Sequence, residues 1–342
     1  MLYLESGSLD AAYHFSVEDY LLHHADLTQP IIMLWQTKPC VMIGQYQIVE
    51  LEVDKNRATE KDVAIVRRPS GGGAIFTDAG TFLLSLILPV NTDESGAIDA
   101  FPQKEARTQF AELLIEVLSE MRIPAKLEGR NDILLAGKKI SGMAQHLHAG
   151  KSCTHGSLLF DADLGLLAEV LRVDDEKFRT KAVKSIRSRV LNVKEYADAQ
   201  ELSLGNTTEE FAQQFKSTLL AKTGATPYQL SEEQGVQIGH IYQEKYGNLD
   251  WIHRKTPKFD LHVSKRFPAG KVEVFLKVTR GAVADCAIRG DFLGTVPVDA
   301  LEKQLLGLAY QREVFDDVLS KIDLAPYLGS ITAEEFLSCV FD

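Results

Sequence analysis

Cysteine is scarce: 4 among 342 residues, at Cys40, Cys153, Cys286 and Cys339, with no CxxC pair and no neighbouring histidine at zinc-ligand spacing. That excludes a disulfide framework or a structural zinc of the usual spacing, and reads as reduced thiols in a cytoplasmic protein. Long apolar runs are missing too. TFLLSLILPV, the most apolar stretch, lasts about ten residues and is halted at Pro89, well short of the roughly 20 that a bilayer requires. The first residues, MLYLESGSLDAAYHF, carry an acid early and no basic segment ahead of an apolar one, so no signal peptide is expected. Basic residues are outnumbered, 37 Lys and Arg against 48 Asp and Glu, for a formal net charge of -11. Broad attraction to nucleic acid or to an anionic membrane is thereby excluded, and any anion site has to be local. The chain shows neither an internal repeat nor a low-complexity tract.

What is present is a mixture of strand and helix patterns without regular βαβ alternation. PIIMLW, PCVMIG and VAIVRR read as strands, the first two separated by a turn at Gln36 to Lys38, and AIFT and TFLLSLIL as two more around Asp78 to Gly80. Phe110, Leu113, Leu114, Val117, Leu118 and Met121 fall on one helical face. DILLAGKKISG predicts a hairpin turning near Ala136 and Gly137, followed by a strand at THGSLLF. Thr207 with Glu210 is a capping-box pattern, and a further helix is expected from Ser231 towards Tyr246. YGNLDWIHRKTPKFD then breaks both periodicities and reads as a linker. Beyond it Val272, Val274, Leu276 and Val278 alternate with Glu273, Phe275, Lys277 and Thr279, a half-buried strand paired with Val283 to Ile288 across Arg280-Gly281. Two or three helices close the chain, the last capped by Thr332 with Glu335.

Three stretches carry chemistry. In RRPSGGGAIFTDAG, three consecutive glycines allow backbone N-H groups to converge on phosphate or carboxylate oxygens. Arg67 and Arg68 point to opposite faces of a strand, so one guanidinium enters such a site and the other pairs elsewhere. The stretch lacks the GK[ST] ending of a P-loop and the GxGxxG spacing. In GRNDILLAGKKISGMAQ the hairpin brings Asp132 near Lys138 and Lys139, a possible magnesium ligand beside a mobile point charge, although a lysine pair at a turn is as a rule merely solvated. KAVKSIRSRVLN holds four basic residues and no acid, a candidate phosphate clamp or simply a basic turn. His155 in THGS has the bland reading of a hydrogen-bonded structural residue, and Trp35 that of a core residue.

RRPSGGGAIFTD, GRNDILLAGKKISGMAQ, HGSLLFDADL and KSIRSRVLN stand in the order and at the spacing of lipoate-protein ligases, and DWIHRKTPKF through GKVEVFLKV resembles the small accessory domain of those enzymes. The resemblance covers nearly the whole chain. It implies an α+β architecture with the biotin and lipoate ligase fold: a mixed-sheet catalytic domain at 1–246, a linker at 247–257 and a smaller α+β accessory domain at 258–342. It further implies two half-reactions. Lipoic acid and ATP with Mg2+ give lipoyl-adenylate and pyrophosphate. A lysine of a lipoyl acceptor domain, in a 2-oxoacid dehydrogenase acyltransferase subunit or the H protein of glycine cleavage, then attacks the activated carbonyl. A carboxylate attacking a phosphate is anion meeting anion, so positioning and preorganised positive charge have to dominate.

By motif position Lys139 resembles the family's essential lysine, bridging the acyl carboxylate and the α-phosphate. Arg68 and the stretch Ser70, Gly71, Gly72, Gly73, Ala74, Ile75, Phe76 and Thr77 resemble the acyl-adenylate loop. Asn131, Ala144 and Gln145 match nucleotide contacts, Asp132 the magnesium contact, and Lys184 and Arg187 the segment that closes over the adenylate. Trp35, Gly44, Gly142 and His155, with Arg68, Gly73 and Lys139, match positions around the lipoyl tunnel. Departures are confined to a few places: Thr77 stands for a common histidine, Thr81 and Leu83 for asparagines, Ile48 for an asparagine and Ala182 for a glycine. They bear on the ATP contact and the acyl donor, and Thr77→His is expected to preserve or raise activity. Two alternatives remain. An acyltransferase of the same fold would need a cysteine shortly before KISG, and none lies between Cys40 and Cys153. A non-catalytic binder of lipoate or nucleotide rests on the altered FTD stretch alone. Biotin ligation lacks its GRGRxG pattern.

Overall fold

The computed structural model describes residues 1–89, 100–129, 131–171, 188–253 and 259–342. Its frame is an eight-stranded sheet in the order β11-β1-β2-β6-β10-β9-β8-β7. The strands are β1 (Leu2–Glu5), β2 (Ile31–Gln36), β6 (Thr81–Pro89), β7 (Lys126–Glu128), β8 (Asp132–Leu135), β9 (Lys138–His148), β10 (Lys151–Leu159) and β11 (Thr226–Tyr228). A small sheet of β3 (Cys40–Ile43), β4 (Ala64–Arg67) and β5 (Ile75–Thr77), ordered β4-β3-β5, stands beside it. β11, β1 and β2 run parallel, and every pairing from β2 to β7 is antiparallel.

β2 and β6 are covered on both faces, which is why each reads as an unbroken apolar run rather than an alternation. One face packs on the helices Ala100–Glu120 and Thr208–Thr223, through residues such as Phe110, Leu114, Phe211 and Phe215. The other packs on the helix Ala11–His23 through Phe15, Leu21 and Leu22, and on Ile238 and Tyr246. Asp10 caps the helix Ala11–His23 by accepting from Ala12 N, and Thr207 caps Thr208–Thr223 by accepting from Glu210 N.

The strands foreseen on either side of Gln36 to Lys38, and of Asp78 to Gly80, do not form hairpins: each turn carries the chain from one sheet to the other. Asp78 makes the second turn rigid, its carboxylate accepting from Gly80 N, Thr81 Oγ1 and Asp163 N. Within the stretch read as a linker, Leu249–His253 is a short helix seated on the small sheet. Trp251 Nε1 donates to Arg67 O across that contact.

The C-terminal region is a meander of β12 (Leu261–Phe267), β13 (Gly270–Thr279) and β14 (Ala282–Gly290), backed by four helices, the last, Ala333–Phe341, closed by a complete capping box at Thr332 and Glu335. β13 buries Val272, Val274 and Leu276 as the alternation predicts, but Glu273 and Phe275 on its other face are buried as well. Phe275 stacks on His262 and clusters with Phe259, Ala287 and Ile48 of the N-terminal region, so the face expected to meet solvent is an internal interface.

Candidate active site

The glycine stretch leaves β4 and enters β5, and the two arginines before it have separate duties. Arg67 is 1 % exposed; its guanidinium donates to the carbonyls of Gly44, Gln45, Gln47, Trp251 and Ile252, tying three segments together. Arg68 turns the other way, donating to Met42 O, Gly71 O and Gly73 O while lining a cavity. Burial pushes its pKa down to about 10, which still leaves a full positive charge at neutral pH. Gly72 has a φ of 94°, and its carbonyl lies so close to Gly44 that a Cβ there has no room. Gly44 is thus a packing residue under the loop, not a wall of either cavity.

Lys139 reaches the site through an irregularity in the β8–β9 hairpin. Ala136 and Gly137, both at positive φ, make the turn. Pairing runs Leu135 with Lys138 and Leu134 with Lys139, then shifts, so that Ile133 faces Ser141 and Asp132 faces Gly142. Ile140 is therefore an extra residue, a β-bulge. It places Lys139 on the face of Asp132 and Gly142 instead of that of Ser141. Lys139 Nζ lies 2.7 Å from Asp132 Oδ1. A Cβ on Gly142 would stand 2.8 Å from both Cε and Nζ of Lys139, so the glycine is what lets the lysine lie across the strand.

Two cavities meet there, sharing Lys139, Gly142, Ala74, Ile75 and Ser157. The first, about 160 Å³, is walled by Phe15, Trp35, Met42, Leu83 and Met143, with Arg68, Asn131, Ala144, Gly72, Gly73 and His155 also on its surface. The second, about 710 Å³, carries Glu128, Asp132, Ser188, Arg189 and Phe76. An ammonium at the junction of a narrow apolar slot and a wide, charged one suits a reaction between the head of an aliphatic acid and a polyanion.

Ser70 and Gly71 line neither cavity, but Ser70 Oγ is 2.6 Å from His155 Nε2 and Gly71 packs on the carbonyl of Phe292. Thr77 is fully buried, its hydroxyl 2.7 Å from Thr37 Oγ1 and 3.1 Å from Cys40 Sγ, facing neither cavity. Gln145 is also turned inward, donating to Ser152 Oγ and Thr154 Oγ1. Lys184 and Arg187 lie outside the described residues; Ser188 and Arg189, next in the same basic segment, border the wider cavity.

Sequence reasoning missed Glu18, whose carboxylate holds His155 Nδ1 at 2.9 Å, although its place on the apolar stripe three residues after Phe15 was a readable signal. It also missed Leu293, which the C-terminal region inserts into the wall of the narrow cavity, with Phe292 O accepting from Gly72 N. His146, Cys153 and His155 come together from paired strands, their donor atoms within 4.8 Å of one another. His146 has no hydrogen-bond partner among the described residues, and burial, aided by His155, pushes its pKa down to about 3, so the ring is neutral.

Residues 10–216 match the model of the lipoyl protein ligase A/B catalytic domain, and residues 256–340 that of the bacterial lipoate protein ligase C-terminus. The chain belongs to the lipoate-protein ligase family. Among its relatives, lipoate-protein ligase LplJ of Bacillus subtilis is 35 % identical over 345 residues, covering 100 % of both chains. The crystal structure of P. falciparum LipL1 in complex with lipoate superposes with a TM-score of 0.77 at 22 % identity, covering 98 % of this chain and 97 % of that one. Lipoate-protein ligase A bound with ATP gives 0.58 at 21 % identity over 74 % of this chain and 97 % of that chain. These structures share the α+β fold described above.

Proposed function

We propose that this protein activates lipoate with ATP as lipoyl-adenylate and then passes the lipoyl group to a lysine of an acceptor domain. The observation that carries the reading is Lys139 at the meeting point of the two cavities. The aliphatic chain takes the narrow cavity, its carboxylate towards Lys139, while the nucleotide takes the wide one. A carboxylate oxygen attacks the α-phosphorus, the bond from that phosphorus to the bridging oxygen breaks, and pyrophosphate leaves. Lys139 offsets the charge of both reacting anions, and Arg68 supplies a second fixed cation on the acyl side. In the second half-reaction an acceptor amine attacks the acyl carbonyl, AMP leaves with the former carboxylate oxygen, and the amine loses a proton as the amide forms.

Asp132 and Glu128 offer carboxylate oxygens on one wall of the wide cavity, a hard-donor set that fits Mg2+, and the ion would neutralise phosphate charge there. Residues 1–246 would hold the chemistry and 258–342 the accessory domain, joined through 247–257. The acceptors would be lipoyl domains of 2-oxoacid dehydrogenase acyltransferase subunits or the glycine cleavage H protein. No helix among the described residues is long and apolar enough to cross a membrane, in keeping with work in the cytoplasm. The thioester alternative is disfavoured because all four cysteines are buried. Pyrophosphate release that requires both lipoate and ATP, together with a one-lipoyl mass gain on an acceptor domain, tests the proposal; acyl transfer without ATP would overturn it.

A further inference from the structure

Glu18 is fully buried in the helix Ala11–His23 and lines neither cavity. A carboxylate in such a place costs several kcal/mol unless it is paired and hydrogen-bonded. Here it is both. Trp35 Nε1 donates to Ser85 Oγ at 2.8 Å, and Ser85 Oγ donates to Glu18 Oε1 at 2.6 Å. On the other side His155 Nδ1 is 2.9 Å from Glu18 Oε2, and His155 Nε2 is 2.6 Å from Ser70 Oγ. Burial would raise the Glu18 pKa, but His155, by charge and by hydrogen bond, and Ser85 hold it below the ordinary carboxylate value. An ionised carboxylate accepts and never donates, so it fixes the direction of each bond it makes. Nδ1 of His155 has to carry a proton, and the Ser85 hydroxyl has to point at Glu18, leaving its lone pairs for the indole N-H.

Trp35 and His155 are both walls of the narrow cavity, and Ser70 opens the glycine stretch. We propose that Glu18 is a positioning residue for the acyl substrate, acting through Ser85 on Trp35 and through His155 on Ser70, so that one buried group sets two walls of the slot that receives the fatty acid. The inference rests on the ligase reading for the identity of that substrate. The row Ser70–His155–Glu18 also has the connectivity of a hydrolytic triad. Ser70 is fully buried and lines neither cavity, so its hydroxyl is held as a brace and is not presented for attack.

The test uses the full-length chain with Glu18→Gln, whose amide keeps the shape but both donates and accepts. In pyrophosphate release the KM for lipoate should rise about tenfold, the scale of one hydrogen bond to a charged group, with the KM for ATP and kcat within about twofold. The 15N shifts of His155 should show Nδ1 protonated in the parent protein and that preference lost in the variant. A folded variant with unchanged lipoate KM, equal rises in both KM values, or a loss in kcat alone overturns the proposal, as does covalent labelling of Ser70 by a fluorophosphonate. Should Glu18→Gln not fold, Ser85→Ala carries the test, since it releases Trp35 while leaving the Glu18–His155 pair: a selective rise in lipoate KM supports the proposal and none overturns it. If the parent protein forms no pyrophosphate with any acid, the ligase reading fails separately. Calorimetric binding of lipoate to parent and variant then still decides whether Glu18 shapes the slot.

Discussion

The two cavities on either side of Lys139 are built in different ways. The narrow one takes its walls from the middle of the fold: Trp35 on β2, Leu83 on β6, Met143 on β9 and His155 on β10, all strands with neighbours on both edges. The wide one reaches the edge of the sheet, resting on β7, the edge strand, on β8 beside it, and on Ser188 to Val190. The side groups of β7 are all exposed, whereas those of β2 and β6 are almost all buried. Recognition of an aliphatic chain depends on shape and dryness, which a packed core supplies before the ligand arrives. Recognition of a triphosphate depends on charges and backbone amides that water can reach, and those stand at an edge.

If that division is right, substitutions separate by which side they touch. Lys139→Ala removes the charge common to both and should lower adenylate formation by about a hundred- to a thousandfold without changing thermal stability; near-parent turnover would remove Lys139 from the reaction. Thr77→His should come next, and it reverses what the sequence led us to expect. The site around Thr37, Thr77 and Cys40 is closed, so the larger ring should cost about 1–3 kcal/mol of stability by overpacking, read as a lower midpoint in urea. An unchanged midpoint with higher activity would show instead that the ring reaches the nucleotide. Gly142→Ala forces Lys139 off its path and should reduce kcat about tenfold while leaving the fold intact. The smallest effect is expected from Leu293→Ala, which opens only the narrow cavity: lipoate KM should rise roughly threefold, with ATP KM unmoved. A matching rise for ATP would mean the two sides are not independent.

Much of this was legible in the chain itself, and what was not has physical reasons. The opposite facing of Arg67 and Arg68 follows from strand geometry, and the structure gives one to carbonyl anchoring and the other to the cavity. The hairpin at Ala136-Gly137 and the closing helix at Thr332 rest on local turn and cap chemistry, and both stand as read. The strands beside Gln36 to Lys38 and Asp78 to Gly80 came through, but not their division between two sheets, because a two- or three-residue turn looks the same whether it closes a hairpin or passes between sheets; β1, β7, β11 and β12 went unread. The buried second face of β13 could not be seen, since its cover, Ile48, lies in a distant part of the chain. For the same reason Glu18 went unread; its partner His155 is 137 residues away. Leu293 gave no local signal at all.

The extra residue at Ile140 has one more implication. Parity along a strand would otherwise assign the interior position to Lys138, and the chain carries a lysine at both places. Were the bulge ironed out with Gly142 still opposite Asp132, Ile140 would take the place opposite Leu134 that Lys139 now holds, evicted from the core where it is wholly enclosed, and Lys138 would fall a further pair of residues away, opposite Ala136. The second lysine is thus no cover against a slip in pairing; the cost of exposing Ile140 is what pins the register and keeps the charge in place.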